Sequence, residues 1–273
     1  MKLSAVYNFF DGGELLLESV RSIRPYVDHL SIVFQRVSNY GNPQSPRSIE
    51  ALDTLSVEGL VDVFEHYEPD LSLGGSANEF HKRHRGLELA KAADCETFLF
   101  LDADEFYDGP SFVAARRAFE TSNWRSSSVQ FMNYYGGPTL RMARPVGVVP
   151  FICRVTESHT FAAEHPYLVD PTRSVRSSFS THHLYPAADI VMHHMTGVRL
   201  DLEEKLRNSS LNDDVEVIRY WRERYEALPQ LRPGLNSTVS GESYEIEEVP
   251  DVFGLGGIFD SRSREALPAE HSP

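Results

Sequence analysis

Cysteine is nearly absent: the 273 residues hold two, Cys95 and Cys153. Two thiols cannot form the framework of a disulfide-dense scaffold. Their settings, a helix–strand junction and an apolar strand, imply reduced core thiols. Also missing is any apolar run near the ~20 residues that span a bilayer. The first residues, Met1 to Asn8, contain no signal-peptide core and read directly as a strand. Together these features lead to an expectation of a cytoplasmic protein. Positive charge is in deficit too, with 26 Lys and Arg against 40 Asp and Glu, a net charge of −14. That balance disfavours broad contact with nucleic acid or anionic lipid, although it leaves room for a local basic pocket.

The chain does have enough apolar residues, 41%, to bury a large core. Over the first hundred residues strand-like and helix-like periods alternate. Strands are expected at Leu3 to Phe10, Leu30 to Phe34, Leu60 to Phe64 and from Phe98 to Leu101. Helices are expected between them at Glu14 to Tyr26, Ser48 to Glu58 and Ala77 to Ala93. Such alternation implies an α/β fold with a mainly parallel sheet and right-handed crossovers. Beyond Glu105 a helix is expected at Pro110 to Thr121. Strands follow at Ser127 to Tyr135, Val146 to Val155 and Asp189 to Met195, with long polar loops between them. Amphipathic helices over Arg199 to Ser209 and Asp213 to Leu228 precede an acidic, loop-rich tail.

The most informative stretch is Phe98-Leu99-Phe100-Leu101-Asp102-Ala103-Asp104-Glu105. Four apolar residues suit a strand buried on both faces. Three carboxylates within the next four positions repel one another and are costly to desolvate, so a cation should balance them. A hard divalent ion, Mn²⁺ or Mg²⁺, takes oxygen ligands and bridges phosphates. The carboxyl ends of strands are also where open α/β sheets bind ligands. Asp104 is the favoured direct ligand, with Asp102 on a ribose or a metal-bound water and Glu105 turned toward the acceptor side. Of the pair His193-His194, His194 is favoured to complete the metal site, because Met192 and His193 can alternate into the sheet. The cations Lys82, Arg83 and Arg85 share one helical stretch, and Arg83 is the one expected to contact phosphate.

Three motifs in this order resemble the GT-A nucleotide-sugar transferases, specifically the family-two-like glycosyltransferases of bacteria and viruses. Asp102-Ala103-Asp104 resembles their Asp-x-Asp motif. Lys82-Arg83-His84-Arg85-Gly86 resembles an Arg-Asn-x-Gly helix with His84 replacing the asparagine. Met192 to Arg199, followed by Lys205, resembles their late histidine segment. The resemblance covers roughly residues 1 to 210. It implies a GT-A catalytic domain over residues 1–198, with 1–105 holding the nucleotide sugar and 106–198 the acceptor. A helical, loop-rich extension would occupy 199–273.

The resemblance further implies a metal-dependent, inverting transfer from a nucleoside-diphosphate sugar, a UDP-sugar above others, to an acceptor hydroxyl. Tyr7, Asn8, Gln35 and Asn39 would surround the base and ribose. Arg199 and Lys205 would either close over the diphosphate or solvate a helix. A general base is sought among Glu157, Glu164 and Asp170. The acceptor is left as a saccharide or another hydroxyl compound, with a modified nucleic-acid base disfavoured by the charge. Competing readings are a sugar nucleotidyltransferase, a catalytically idle glycan- or nucleotide-binding protein of the same shape, and a metal-dependent hydrolase. The nucleotidyltransferase would want a basic residue right after the first strand, where Asp11-Gly12-Gly13-Glu14 offers none.

Overall fold

The computed structural model describes residues 1–155, 165–174, 178–210, 212, 214–238 and 241–260. Its first part is the expected alternation: β1 (Leu3–Phe9), α1 (Gly13–Ile23), β2 (His29–Phe34), α2 (Pro46–Glu58), β3 (Val63–His66), α3 (Gly75–Ala92) and β4 (Thr97–Leu101). These four strands are parallel and lie in the order β4-β1-β2-β3. Every residue of β1 and of β4 is buried, because helices cover both faces of the sheet. Alternation along β1 sends Ala5, Tyr7 and Phe9 into one apolar cluster with α1 and α2, and Val6 into a second with Leu87 and Ala90 of α3. Cys95 and Cys153 are free thiols buried in that second cluster. Burial there pushes the Cys153 thiol up to about 12.

The second part comprises β5 (Glu105–Phe106), α4 (Gly109–Thr121), β6 (Ser126–Tyr135), β7 (Leu140–Met142), β8 (Gly147–Arg154), β9 (His182–Leu184) and β10 (Val191–Gly197). β8 is antiparallel to both β4 and β6, and β10 is parallel to β6, so the sheet is mixed on this side. One pairing matters for the site. β10 runs antiparallel to β5, placing His194 opposite Glu105, and Met195 N–H donates to the Asp104 carbonyl at 2.7 Å.

The remaining elements are α5 (Leu202–Asn208), α6 (Val215–Glu226), β11 (Gly234–Ser237), β12 (Ser243–Glu248) and α7 (Gly256–Asp260). The stretch expected to be helical and loop-rich therefore also supplies two strands. β12 pairs with β7 and extends the sheet, with β11 beyond it. Tyr244 and Ile246 are buried between exposed or half-buried glutamates, a period-two pattern in a segment read earlier only as acidic. Among the described residues no helix is long and apolar enough to cross a membrane.

Gly86 fixes how closely α3 lies on β1. A Cβ at this position would overlap Val6 Cγ1 and approach Phe100 at 3.2 Å. Gly86→Ala is therefore expected to lower stability by about 1–3 kcal/mol despite its better helix propensity. Urea unfolding should show a smaller loss when the substitution is made in a Val6→Ala background. An equal loss in both backgrounds would refute close α3–β1 packing as the cause.

Candidate functional site

The acidic turn after β4 opens into a cleft of about 280 Å³ at the carboxyl ends of the parallel strands. The chain reverses within it: Glu105 N–H donates to the Asp102 carbonyl at 3.1 Å, and Glu105 Oε2 accepts from Asp102 N–H at 3.2 Å. Glu105 is thereby folded back into the protein, while Asp102, Ala103 and Asp104 line the cleft. Asn8 enters from the end of β1, and Gln35 and Asn39 from the loop after β2. Glu79 and Lys82 come from α3, His194 from β10, and Arg199 and Lys205 from the segment that follows.

Two cation groups balance the carboxylates. Arg83 Nη2 lies 3.1 and 3.2 Å from the two oxygens of Asp102 and 2.7 Å from Glu79 Oε1. Arg173 Nη2 bonds the same Asp102 carboxylate and reaches Glu105 Oε1 at 2.6 Å. Burial alone would raise the Asp102 pKa, but Arg173 and Arg83 outweigh it and hold the carboxyl below its usual range. Asp104 has its own set: Arg199 Nη2 at 2.7 Å, Lys205 Nζ at 2.8 Å and His194 Nε2 at 3.5 Å, all on Oδ2. Here too burial pushes up, and Lys205 and Arg199 overcome it, so Asp104 ionises well below the ordinary value. Gly12, at φ +81°, makes room for this group, since any Cβ there would collide with the Arg199 guanidinium.

The donor set does not fit a divalent ion. Both oxygens of Asp102 accept from guanidinium groups, and one oxygen of Asp104 accepts from a guanidinium and an ammonium. Mg²⁺ demands near-octahedral oxygen ligands at about 2.1 Å, and a dication there would face the fixed positive charges at close range. Among the described residues, no group of three His, Cys, Asp or Glu side chains is placed to hold a metal ion. His193 departs further from the expectation. It is buried on the opposite side of β10, with Nδ1 2.8 Å from the Tyr134 hydroxyl and its ring against Phe253, and burial lowers its pKa to about 4. His194 does line the cleft, held by Nδ1 at 2.9 Å from Asn133 Oδ1.

Other expected residues divide in the same way. Asn8, Gln35, Asn39 and Arg199 share the cleft. Tyr7 does not: it is wholly buried in the core, with its hydroxyl 2.8 Å from Ser19 Oγ. A residue one position along a strand points to the opposite face, so Asn8 and Tyr7 cannot both face the cleft. Arg83 also lies behind the cleft wall, where it braces Asp102, and its neighbour Lys82 reaches the cleft instead. Glu105 is buried and bound to Arg173, and burial raises its pKa. Asp170 is exposed and caps the short turn Pro171–Arg173, accepting from Thr172 N–H at 2.8 Å. It is absent from the cleft lining. Glu157 and Glu164 lie outside the described residues.

Several cleft residues escaped sequence reasoning. Asp11 lines it beside Arg199, and burial pushes its carboxyl up to about 6. Glu79 accepts from Asn8 Nδ2 and from Arg83. Trp221 and Tyr225 of α6 form part of one wall. The buried stripe of α3 through Ala90, Leu87 and Gly86 continues back to Arg83 and Lys82, a helical spacing that marks both cations as inward-facing but not which of them reaches the cleft.

No family model matches this chain, and no curated protein matches it significantly. Among solved structures it is similar to residues 1–349 of S. aureus TarS in complex with UDP, with a TM-score of 0.43 at 12% identity over 84% of this chain and 80% of that one. Against the longer S. aureus TarS structure the TM-score is 0.36 at 12% identity, covering 49% of this chain. This chain spans only 22% of that longer one. A glycosyltransferase involved in glycosylation of the major capsid of PBCV-1 gives a TM-score of 0.29 at 12% identity, over 56% of this chain and 60% of that one. With likeness at this level, the chemistry has to be read from the cleft itself.

Lys82 offers a direct check on the geometry. It is buried, donates to Gln35 Oε1 and to the Phe9 carbonyl at 3.4 Å, and burial lowers its pKa from 10.5 to about 8. Between these values the unfolded chain binds a proton that the folded chain has released, so stability rises with pH across that window. The shift corresponds to at most roughly 3 kcal/mol. Denaturant unfolding from pH 7.5 to 10 should show this rise in the wild type, and Lys82→Met should flatten it. An unchanged slope in the variant would contradict a buried ammonium.

Proposed function

We propose that this chain is a glycosyltransferase that moves a sugar from a nucleoside-diphosphate sugar, a UDP-sugar first among them, to an acceptor hydroxyl with inversion at the anomeric carbon. The observation that carries the reading is a single strand-end cleft with two chemically different ends. One end presents the amides of Asn8, Gln35 and Asn39 with the Lys82 ammonium. Gln35 and Asn39 bond each other, Lys82 and the backbone carbonyls of Val37 and Gly75, and so brace this end, while Asn8 is the amide with an acceptor to offer a base edge. The Asn8 Oδ1 acceptor is buried and has no partner among the described residues. The other end presents Arg199 and Lys205 gathered on Asp104, a setting for phosphate oxygens.

In the proposed transfer the acceptor oxygen attacks the anomeric carbon as the bond from that carbon to the diphosphate oxygen breaks. The nucleoside diphosphate departs with the bonding pair, and Arg199 and Lys205 stabilise its growing negative charge. The acceptor proton passes to a carboxylate. Asp11 is the described cleft residue best suited to take it, being half-buried beside the Asp104 group with a pKa of about 6.

Release of free nucleoside diphosphate from a panel of UDP-, GDP-, CDP- and dTDP-sugars, with simple saccharides as acceptors, tests the reading. Turnover of the UDP-sugars is expected, rising as pH climbs through about 6, because the base must be ionised to act. Asp11→Asn should cut kcat by about 10²–10⁴ while leaving UDP affinity within a few-fold. A panel without turnover, in a protein that also fails to bind any of the nucleotides, would overturn the proposal.

A further inference from the structure

Resting on the reading that the cleft takes a nucleoside diphosphate, we infer that the diphosphate is neutralised by the chain's own cations, Lys205 and Arg199 mounted on Asp104, rather than by a divalent metal ion. The acidic turn thus serves as an anchor for side-chain cations.

The ion pairing around Asp104 supports this. One carboxylate oxygen holds one guanidinium at 2.7 Å and one ammonium at 2.8 Å. The three side chains carry a net charge of about +1 facing the cleft, and Asp11, 3.9 Å from Arg199 Nη2, brings the group to about zero once it is ionised. Lys205 is firmly seated. Its three protons have three acceptors: Asp104 Oδ2 at 2.8 Å, and the Thr196 carbonyl and hydroxyl each at 3.0 Å. An ammonium so placed already occupies the Asp104 Oδ2 oxygen, and a dication bound to that oxygen would have to displace it.

Arg199 adds a donor with no acceptor among the described residues. Its side chain is 5% exposed, its Nε is buried without a partner among them, and its Nη2 engages Asp104 and, at 3.9 Å, Asp11. A buried guanidinium nitrogen left unpaired is costly, and a phosphate oxygen is a fitting partner for it. Asp102 meanwhile is spoken for by Arg83 and Arg173. Freeing it for a metal would leave Arg83 with Glu79 and Arg173 with Glu105 as their remaining carboxylates, two buried guanidinium groups each short of one partner. Both halves of the acidic turn therefore favour a cation supplied by side chains.

The test is calorimetric titration of the full chain with UDP, in buffer with EDTA and again with 1–5 mM Mn²⁺ (about the usual assay range for such an ion). Equal affinity within about threefold in the two buffers is expected. Lys205→Met should weaken binding at least tenfold in both, and Lys205→Arg should recover most of it. Thermal melting of each variant without ligand separates lost binding from lost folding. UDP binding that needs Mn²⁺, or that tightens tenfold with it, would overturn the metal-free assignment and leave the glycosyltransferase reading standing. No binding of UDP, GDP, CDP or dTDP in either buffer would overturn both. Unaltered UDP affinity in Lys205→Met would overturn the role of Lys205.

Discussion

Compensation of buried carboxylates by cations drawn from distant parts of the chain is the constraint on which the site depends. Asp102, Asp104 and Glu105 sit within four residues of one another, and burial works against ionisation of all three. Left uncompensated, such a cluster would destabilise the fold by several kcal/mol. Arg83 arrives from α3, Arg173 from a short turn seventy residues downstream, and Arg199 and Lys205 from the segment after β10. Each stands within bonding distance of a carboxylate, so the acidic turn and these four cations make one electrostatic unit.

That unit explains why the polypeptide is arranged as it is. The parallel strands bring Asn8, Gln35 and the acidic turn to the same edge of the sheet, since strands running the same way end on the same side. β10 lies against β5 and so delivers His194 beside the turn. The chain leaving β10 then lines the cleft, through Arg199, Lys205 of α5 and Trp221 and Tyr225 of α6. Residues beyond 198 are thus part of the site, and the strands β11 and β12 tie that region back into the sheet through β7.

The same arrangement changes the meaning of the acidic motif. Asp-x-Asp at a strand end pointed toward a divalent ion because carboxylates attract one. In the folded chain the carboxylates are already matched by guanidinium and ammonium groups, and in the proposed transfer Arg199 and Lys205 would supply the charge that stabilises a departing diphosphate. Anions recognised by fixed side-chain cations and anions recognised through a metal obey the same electrostatics. They differ in what must bind first.

Local rules made much of the fold legible. The β-α alternation, the burial of Phe98 to Leu101 and the carboxylate turn at its end all follow from periodicity and charge repulsion between neighbours in sequence, and the structure contains them. Face assignment held where alternation was applied to His193 and His194, and it would have removed Tyr7 from the cleft had it been applied to Tyr7 and Asn8. What remained hidden was pairing across long separations. Nothing local distinguishes Arg173 from other arginines or Lys82 from Arg83, whereas the alternation of Tyr244 and Ile246 with glutamates is a local strand signal inside an acidic segment. Sequence by itself determined the β-α alternation of the first hundred residues and where negative charge accumulates, because those depend on residues a few positions apart. Only the tertiary structure decided which cations answer that charge, because an ion pair is set by distance in space and the chain can close that distance in many ways.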